Sequence, residues 1–273
     1  MTENSGRSAR VLAVANQKGG VGKTTTAINL ATSLALNGQS VLLVDIDPQG
    51  NLTSGVGLRG QRAEVGTIYE ALMTDAAPEP FVLATQVANL SLIPADRNLT
   101  GAEIELVNMP ARERRLRRVL DPLRSRFDQV FIDCPPSLGL LTLNALVAAD
   151  AVVIPLHCEY FALEGLADLV GTMRRVRGTL NPSLDIEGVL LTMYDERTNL
   201  GQLVARDVRE FFQAKVFTTT IPRNVRLGEA PSHGMPAALY DAKSRGAAAY
   251  AALAKEMLAR SSHETPLTTE SNQ

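Results

Sequence analysis

Lys18-Gly19-Gly20-Val21-Gly22-Lys23-Thr24-Thr25 follows closely on the apolar run Val11-Leu12-Ala13-Val14-Ala15. A triphosphate with a divalent cation needs a concave row of backbone N–H groups, and glycines let the chain turn tightly enough to aim successive amides inward. Gly19, Gly20 and Gly22 supply that freedom. Lys23 is expected to reach the β- and γ-phosphates, Thr24 to offer its hydroxyl to Mg2+, and Thr25 to touch the α-phosphate from the first turn of a helix. From Thr26 to Ala35 apolar residues recur at helical spacing, and the pattern stops at Gly38. Strand, loop and helix thus stand in the order that a phosphate-binding loop requires.

The strict pattern G-x-x-x-x-G-K-[ST] fails at Gln17, which takes the place of its first glycine, and Lys18 stands five residues before Lys23. A single loop has little use for two ammonium groups on its own nucleotide. Lys18 is therefore read as a cation that reaches a neighbouring subunit's phosphates in the manner of an arginine finger, an effect on the order of 10³–10⁵ in rate where it has been dissected. The plainer alternative is a solvated surface lysine.

The loop does not stand alone. Together with Val44-Asp45-Ile46-Asp47-Pro48-Gln49-Gly50-Asn51, Phe131-Ile132-Asp133-Cys134-Pro135-Pro136-Ser137 and Ile221-Pro222-Arg223-Asn224-Val225-Arg226, it resembles the deviant Walker A loop and companion motifs of the ParA/Soj chromosome-partitioning ATPases, relatives of MinD. The similarity runs from about Arg10 to about Arg260.

Length and composition agree with one large α/β domain: 273 residues, 45% hydrophobic, can bury a substantial core. The expected organisation is a loose N-terminal arm over residues 1–9, one ATPase domain over 10–260, and a polar tail over 261–273. Cys134 and Cys158 have no ligand cluster beside them, so neither a disulfide framework nor a zinc site is expected. Residues Met1 to Ser8 lack the apolar run of a secretory signal, and the uncharged stretch from Cys134 to Ala149 is too short and too polar for a membrane span. A net charge of −2 gives no general basic excess, so a nucleic-acid surface would be local or assembled by dimerisation.

Apolar runs predict strands at 11–15, 41–46, 90–93, 129–133, 151–156, 188–193 and 216–221. Helical patterns fall between or after them at 25–37, 67–73, 113–124, 138–148, 163–179, 200–214 and 245–258. Strands this apolar, separated by helices, predict a doubly wound, mainly parallel sheet with helices on both faces and a ligand at the carboxyl ends of the strands.

Phosphoryl transfer to water needs a metal, an oriented water and charge neutralisation. By the resemblance, Asp47 in the switch I segment positions or activates the attacking water and stands near the metal. Asp45, two residues earlier, either shares its face or is structural. Asp133 ends an apolar strand, as a Walker B acid holding the metal through water would, and the following segment resembles switch II. Its prolines would also terminate the strand and let Ser137 cap a helix. Pro222 and Asn224 are implied as readers of the adenine edge, with apolar contact from Met193. Read alone, Ile221 to Asn224 would be a turn.

Relatives place DNA-contacting basic residues in the regions of Arg197, Arg226, Lys243 and Arg245. The chain departs from the frequent family form at Gly228, where serine is common, and at Ala242-Lys243, where Pro-Arg is common; Lys243 keeps the charge but not arginine's planar fork. The cluster Arg112, Arg114, Arg115, Arg117 and Arg118 spreads around a helix and is read mainly as a solvated surface.

The resemblance implies a weak ATPase that takes ATP and Mg2+. An ATP-bound homodimer would bind double-stranded DNA without sequence preference, and a ParB-like centromere-binding protein would stimulate hydrolysis and release it. The expected location is the cytoplasm, on the nucleoid. Alternatives are a nucleotide-gated DNA-binding regulator of replication initiation or transcription, and a MinD-like membrane-cycling ATPase. The latter needs a C-terminal amphipathic helix where this tail is polar. A nitrogenase-reductase-like carrier would need cluster-ligating cysteines that Cys134 does not fit.

Overall fold

The computed structural model describes residues 8–159 and 162–263. Seven strands form one sheet: β1 (Arg10–Val14), β2 (Val41–Asp45), β3 (Leu83–Ala84), β4 (Leu90–Ile93), β5 (Gln129–Asp133), β6 (Ala151–His157) and β7 (Asp185–Thr192). Their order is β3-β4-β2-β5-β1-β6-β7, parallel throughout except for the short edge strand β3, which runs antiparallel to β4. Around them pack α1 (Lys23–Leu36), α2 (Asn51–Gly55), α3 (Ile68–Met73), α4 (Leu99–Glu105), α5 (Arg115–Leu120), α6 (Leu140–Ala148), α7 (Ala162–Thr179), α8 (Asn199–Phe212), α9 (Val225–Glu229), α10 (Ala237–Tyr240) and α11 (Arg245–His263).

The alternation of a strand's side chains divides the core in two. Val11 and Ala13 of β1 face a cluster with Leu116 of α5, Leu141 of α6, Leu166 of α7 and Val204 of α8. Leu12 and Val14 face the other, with Ile28 and Leu34 of α1 and Tyr250 and Leu253 of α11. Both faces are covered, which is why the central strands read as unbroken apolar runs. The chain leaves β1 toward β2 and β4, returns through β5, then crosses to β6 and β7, so a crevice opens at the carboxyl ends of the central strands. Register brings Val14 beside Asp133 and Asp45 beside Asp133, setting two acids of the motifs side by side, buried at the carboxyl ends of β2 and β5.

Several expectations need correction. Residues 216–221 are not a strand: Phe217 N donates to Val189 O at 3.0 Å and Ile221 N to Leu191 O at 2.9 Å, but only isolated bridges form, at Val189–Val216 and Tyr194–Pro222. The buried Phe217 ring instead packs against Gly188 of β7. The helix expected over 113–124 is broken into a 3₁₀ turn, α5 and a second 3₁₀ turn, with Pro122 in the last. Nor is its basic cluster uniformly solvated. Arg115 is buried, donating to Leu72 O at 2.8 Å, Thr74 O at 2.6 Å and Asp75 Oδ1 at 2.9 Å, and so ties α5 to the end of α3.

Of the expected arm, residues 1–7 lie outside the described residues; Ala9 is buried and its N–H donates to Arg124 O at 2.8 Å. Of the expected tail, residues 261–263 continue α11 and 264–273 lie outside the described residues. No helix among the described residues is long and apolar enough to cross a membrane.

The seating of Phe217 depends on Gly188 in β7, where an added Cβ would lie 2.4 Å from the ring. Gly188→Ala is expected to destabilise the fold by about 1–3 kcal/mol through overpacking. Gly171→Ala on α7, with nothing within 4 Å of the new methyl, should be neutral or slightly stabilising. Thermal or urea unfolding of the two variants should give shifts of opposite sign or a loss confined to Gly188→Ala.

Candidate nucleotide site

The loop between β1 and α1 turns through Gly20 and Gly22, at φ 74° and 88°, a region costly for any residue with a Cβ. Gly22 ends the turn and α1 begins at Lys23. Three contacts from outside hold the loop in place. Thr192 Oγ1, at the end of β7, donates to Val21 O at 2.8 Å. Asn16 Nδ2 donates to Pro155 O of β6 at 2.8 Å, while Asn16 Oδ1 accepts from Lys18 N at 3.0 Å. Thr26 Oγ1 pairs with the Tyr250 hydroxyl of α11 at 3.1 Å.

Lys23 curls back across the loop, its Nζ donating to Lys18 O at 3.0 Å. Burial lowers its pKa, against the opposing pull of Asp133, the Cys134 thiol and Asp47. Asp133 is fully buried, and neither of its carboxylate oxygens has a hydrogen bond of regular geometry. Its pKa stands well above the usual carboxylate range because of desolvation first and the nearby charge of Asp45 second; the approach of the Thr24 hydroxyl and the charge of Lys23 offset this only in part. A buried acid so poorly satisfied is costly unless a cation completes it.

Asp45, also fully buried, has the opposite surroundings. It accepts from Thr53 N at 2.8 Å, Thr53 Oγ1 at 2.7 Å and Asp47 N at 3.1 Å. Burial nonetheless pushes its pKa to about 6. It is structural: it bolts α2 under the end of β2 and so fixes where Asp47 stands. Asp47 lines the cavity, and its Oδ1 accepts from Gln49 N at 3.0 Å.

A cavity of about 660 Å³ opens at this point, lined by Gly19, Gly20, Gly22, Lys23, Thr24, Thr25 and Asp47 at one end and by Met193, Pro222 and Asn224 at the other. The fold thus brings the glycine-rich loop and the residues expected to read the base, far apart in sequence, around one cavity. Asn224 caps α9 by accepting from Arg226 N at 2.9 Å, which leaves its amide nitrogen free to donate. Three expected site residues do not line the cavity. Val21 is buried beneath the loop, Asp133 lies below Lys23, and the Lys18 ammonium turns aside to Glu159 Oε2 at 2.7 Å.

The basic residues fall into two groups. Arg197 and Arg245 line a groove of about 880 Å³ beside the first cavity, which also contains Arg223. Arg197 is held in a fork by Asp195, with Nε at 2.8 Å and Nη2 at 2.7 Å from its carboxylate. Arg226 lies apart, with Nη1 2.7 Å from Glu229 and Nε 3.3 Å from Asp241, and Lys243 follows on the same segment, its N–H donating to Asp241 Oδ1 at 3.2 Å. Sequence reasoning missed Asn16, Thr192, Tyr250, Glu159 and Arg223. Asn16 stands only two residues before the loop and Arg223 lies inside the 221–226 motif, but Thr192, Tyr250 and Glu159 act across long chain separations that no local pattern marks.

Oxygen donors suit Mg2+, which is typically held by one or two carboxylates together with substrate phosphates and water. The orphaned Asp133 carboxylate, the Thr24 hydroxyl and Asp47 fit that description, and among the described residues no cluster of three or more His, Cys, Asp or Glu offers a complete cage of its own. Two substitutions probe these contacts. Thr192→Val removes a buried hydrogen bond and strands the Val21 carbonyl at a cost of about 1–3 kcal/mol, so Tm should fall by a few degrees and nucleotide affinity by about three- to tenfold, as read by thermal melts and titration with a fluorescent nucleotide. Asp133 binds its proton more tightly in the folded than in the unfolded chain, so its contribution to stability is full in acid and is lost as pH rises through the folded value. Asp133→Asn should abolish that share of the slope, leaving the share from Asp45, and should melt higher than the parent above neutral pH while losing the Mg2+-dependent part of nucleotide binding. Thermal scans across neutrality, with and without Mg2+-nucleotide, check both.

Comparison with known proteins agrees with this geometry. A family model described as an AAA domain (AAA_31) matches residues 9–186. The chain is 57% identical over 251 residues to the sporulation initiation inhibitor protein Soj of Bacillus subtilis (strain 168), covering 92% of this chain and 98% of that protein. It is 54% identical over 257 residues to the chromosome partitioning protein ParA of Myxococcus xanthus (strain DK1622), covering 94% and 90%. Among solved structures, the cobyrinic acid a,c-diamide synthase of Mycobacterium smegmatis with bound ATP analog and magnesium superposes with a TM-score of 0.81 at 40% identity, covering 94% of this chain and 97% of that one. The Pyrococcus furiosus cell division ATPase MinD does so at 0.76 and 26% identity, covering 92% and 99%. With a deviant phosphate loop, Asp47 and the 221–225 segment lining one cavity and the buried Asp133 of β5 near Lys23, the chain belongs to the ParA/Soj family of P-loop ATPases.

Proposed function

We propose that the chain is a DNA-partitioning ATPase whose nucleotide state controls its hold on double-stranded DNA. One observation carries the reading: Pro222, Arg223 and Val225 form a wall common to the nucleotide cavity and to the groove that holds Arg197 and Arg245. A base bound against Pro222 and Asn224 bears directly on the backbone of the basic surface.

In this reading the loop amides and Lys23 hold the phosphates of ATP, and Thr24, Asp133 and Asp47 surround Mg2+. That ion, when bound, neutralises charge on the transferring phosphoryl group. Asp47, fixed through Asp45, orients the attacking water. The Pro222 carbonyl and Asn224 amide read the adenine edge beside Met193. Lys18 serves a second subunit's phosphates, so that ATP bridges a sandwich dimer and hydrolysis dissolves it. Arg197, Arg226, Lys243 and Arg245 contact DNA phosphates, and a ParB-like partner stimulates turnover. The B. subtilis and M. xanthus relatives carry the names of a sporulation initiation inhibitor and a chromosome partitioning protein. Their names support a segregation role here, at the nucleoid in the cytoplasm. A regulator of replication initiation or transcription would use the same site without needing turnover.

The test is retention on unrelated duplex DNA at fixed moderate salt with ATP, ADP or no nucleotide. Retention should require ATP, vanish in Lys23→Ala and be prolonged in Asp47→Ala. Its logarithm should fall with log salt at about −0.9 per phosphate neutralised, independent of sequence. Equal or absent retention in all nucleotide states would overturn the reading.

A further inference from the structure

We infer that Glu159 is a positioning residue for Lys18, holding its ammonium within its own subunit until the phosphates of a second subunit displace it. The inference rests on the reading of Lys18 as an intersubunit cation. The geometry is specific. Lys18 Nζ lies 2.7 Å from Glu159 Oε2, and the second carboxylate oxygen is engaged by His157 Nδ1. The backbone of Lys18 is fixed at both ends, its N–H by Asn16 Oδ1 at 3.0 Å and its carbonyl by Lys23 Nζ at 3.0 Å.

Asn16 is in turn anchored on Pro155 of β6, the strand that ends at His157. One strand end therefore sets both the root of the lysine and the acid that receives its tip. Glu159 itself is pinned in a turn, its N–H donating to His157 O at 2.8 Å and its carbonyl accepting from Ala162 N at 3.0 Å. The loop that carries Lys18 thus cannot drift relative to the acid. Only the lysine side chain has to move.

The side chains of Lys18 and Glu159 are 33% and 45% exposed. A pair this wet is weak, as measured exposed pairs are, and a weak pair suits a handover: it parks the ammonium in one rotamer range yet yields to a multiply charged phosphate. The positive charges of Lys18 and Arg223 both act on Glu159 and keep it in its charged form, the form that holds the ammonium.

A double-mutant cycle in the full chain tests this. Dimer dissociation constants are measured by sedimentation with Mg2+ and a non-hydrolysable ATP analogue for the wild type, Glu159→Gln, Lys18→Gln and the double variant. Glu159→Gln should tighten the dimer about two- to fivefold in the wild-type background, have no effect in the Lys18→Gln background, and be reversed by Glu159→Asp, which restores the charge. A Glu159→Gln change that is equal in both backgrounds, absent or loosening would overturn the assignment of Glu159, while a weakened Lys18→Gln dimer would keep the intersubunit reading of Lys18. A Lys18→Gln dimer as tight as the wild type would overturn both. Tm values of the four proteins separate misfolding from a change in association.

Discussion

Unlike charges forced together at the dry end of a parallel sheet are the constraint on which this molecule turns. Lys23, Asp133 and Asp45 are all buried; the register of β2 and β5 sets the two acids side by side, and the lysine stands in the first turn of α1. The three groups are not equally satisfied. Asp45 is saturated by Thr53 and the Asp47 amide, Lys23 has one backbone acceptor, and Asp133 has no regular partner. Burial raises both acids and lowers the lysine, so each resists its charged form. A site in this condition is poised for a ligand that brings both signs, phosphate for Lys23 and a divalent cation for Asp133. The polypeptide spends stability here to keep binding energy in reserve.

How much of this could be read from the chain follows from the range of each interaction. The positions of the phosphate loop, Asp47 and Asp133 were legible because each sits at or just beyond the end of an apolar strand, where local pattern marks the place. The sheet was legible because six of its strands carry a mainly apolar stretch, broken by Ser91 in β4 and preceded by a polar start in β7. The two-residue β3 gave no such signal, since Leu83–Ala84 is too short for a period to show. Residues 216–221 misled for the opposite reason: Val216 and Phe217 are apolar enough for a strand, but they fill the core beside Gly188 instead of extending the ladder. Arg115 misled because a helix wheel scores position and charge, not the three acceptors that wait for the guanidinium at Leu72, Thr74 and Asp75. Thr192 and Glu159 were invisible. Their partners are 171 and 141 residues away, and only the completed fold reveals them.

The segment from Ile221 to Val225 shows how a turn acquires two uses. Ile221 N–H is tied to Leu191 O, and Tyr194 N–H to Ile221 O, so the turn hangs from the end of β7 without joining the sheet. Met193, at φ 48°, makes the reversal that allows this. Because the segment is not a ladder strand, one side of it faces the nucleotide cavity and the other the Arg197 groove. A regular strand would have buried one of those sides against a neighbour. That residues 216–221 form only isolated bridges to β7 is therefore part of what brings the two cavities to a common wall.

Three of the cations read as acting on anions outside the subunit are engaged within it: Lys18 with Glu159, Arg197 with Asp195, and Arg226 with Glu229 and Asp241. Each partner is at least one-third exposed, so none of these pairs contributes much to folding. Their consequence lies in association. A lone arginine or lysine on the surface attracts any polyanion, whereas a paired one must exchange its carboxylate, and a single phosphate gains little by the exchange. Several phosphates at fixed spacing, on a duplex or on a triphosphate in a partner's loop, displace several carboxylates at once, and the gain accumulates. Under the proposed function, intrachain pairing of this kind would let a chain of net charge −2 carry cationic surfaces that answer arrays of phosphate and not isolated anions.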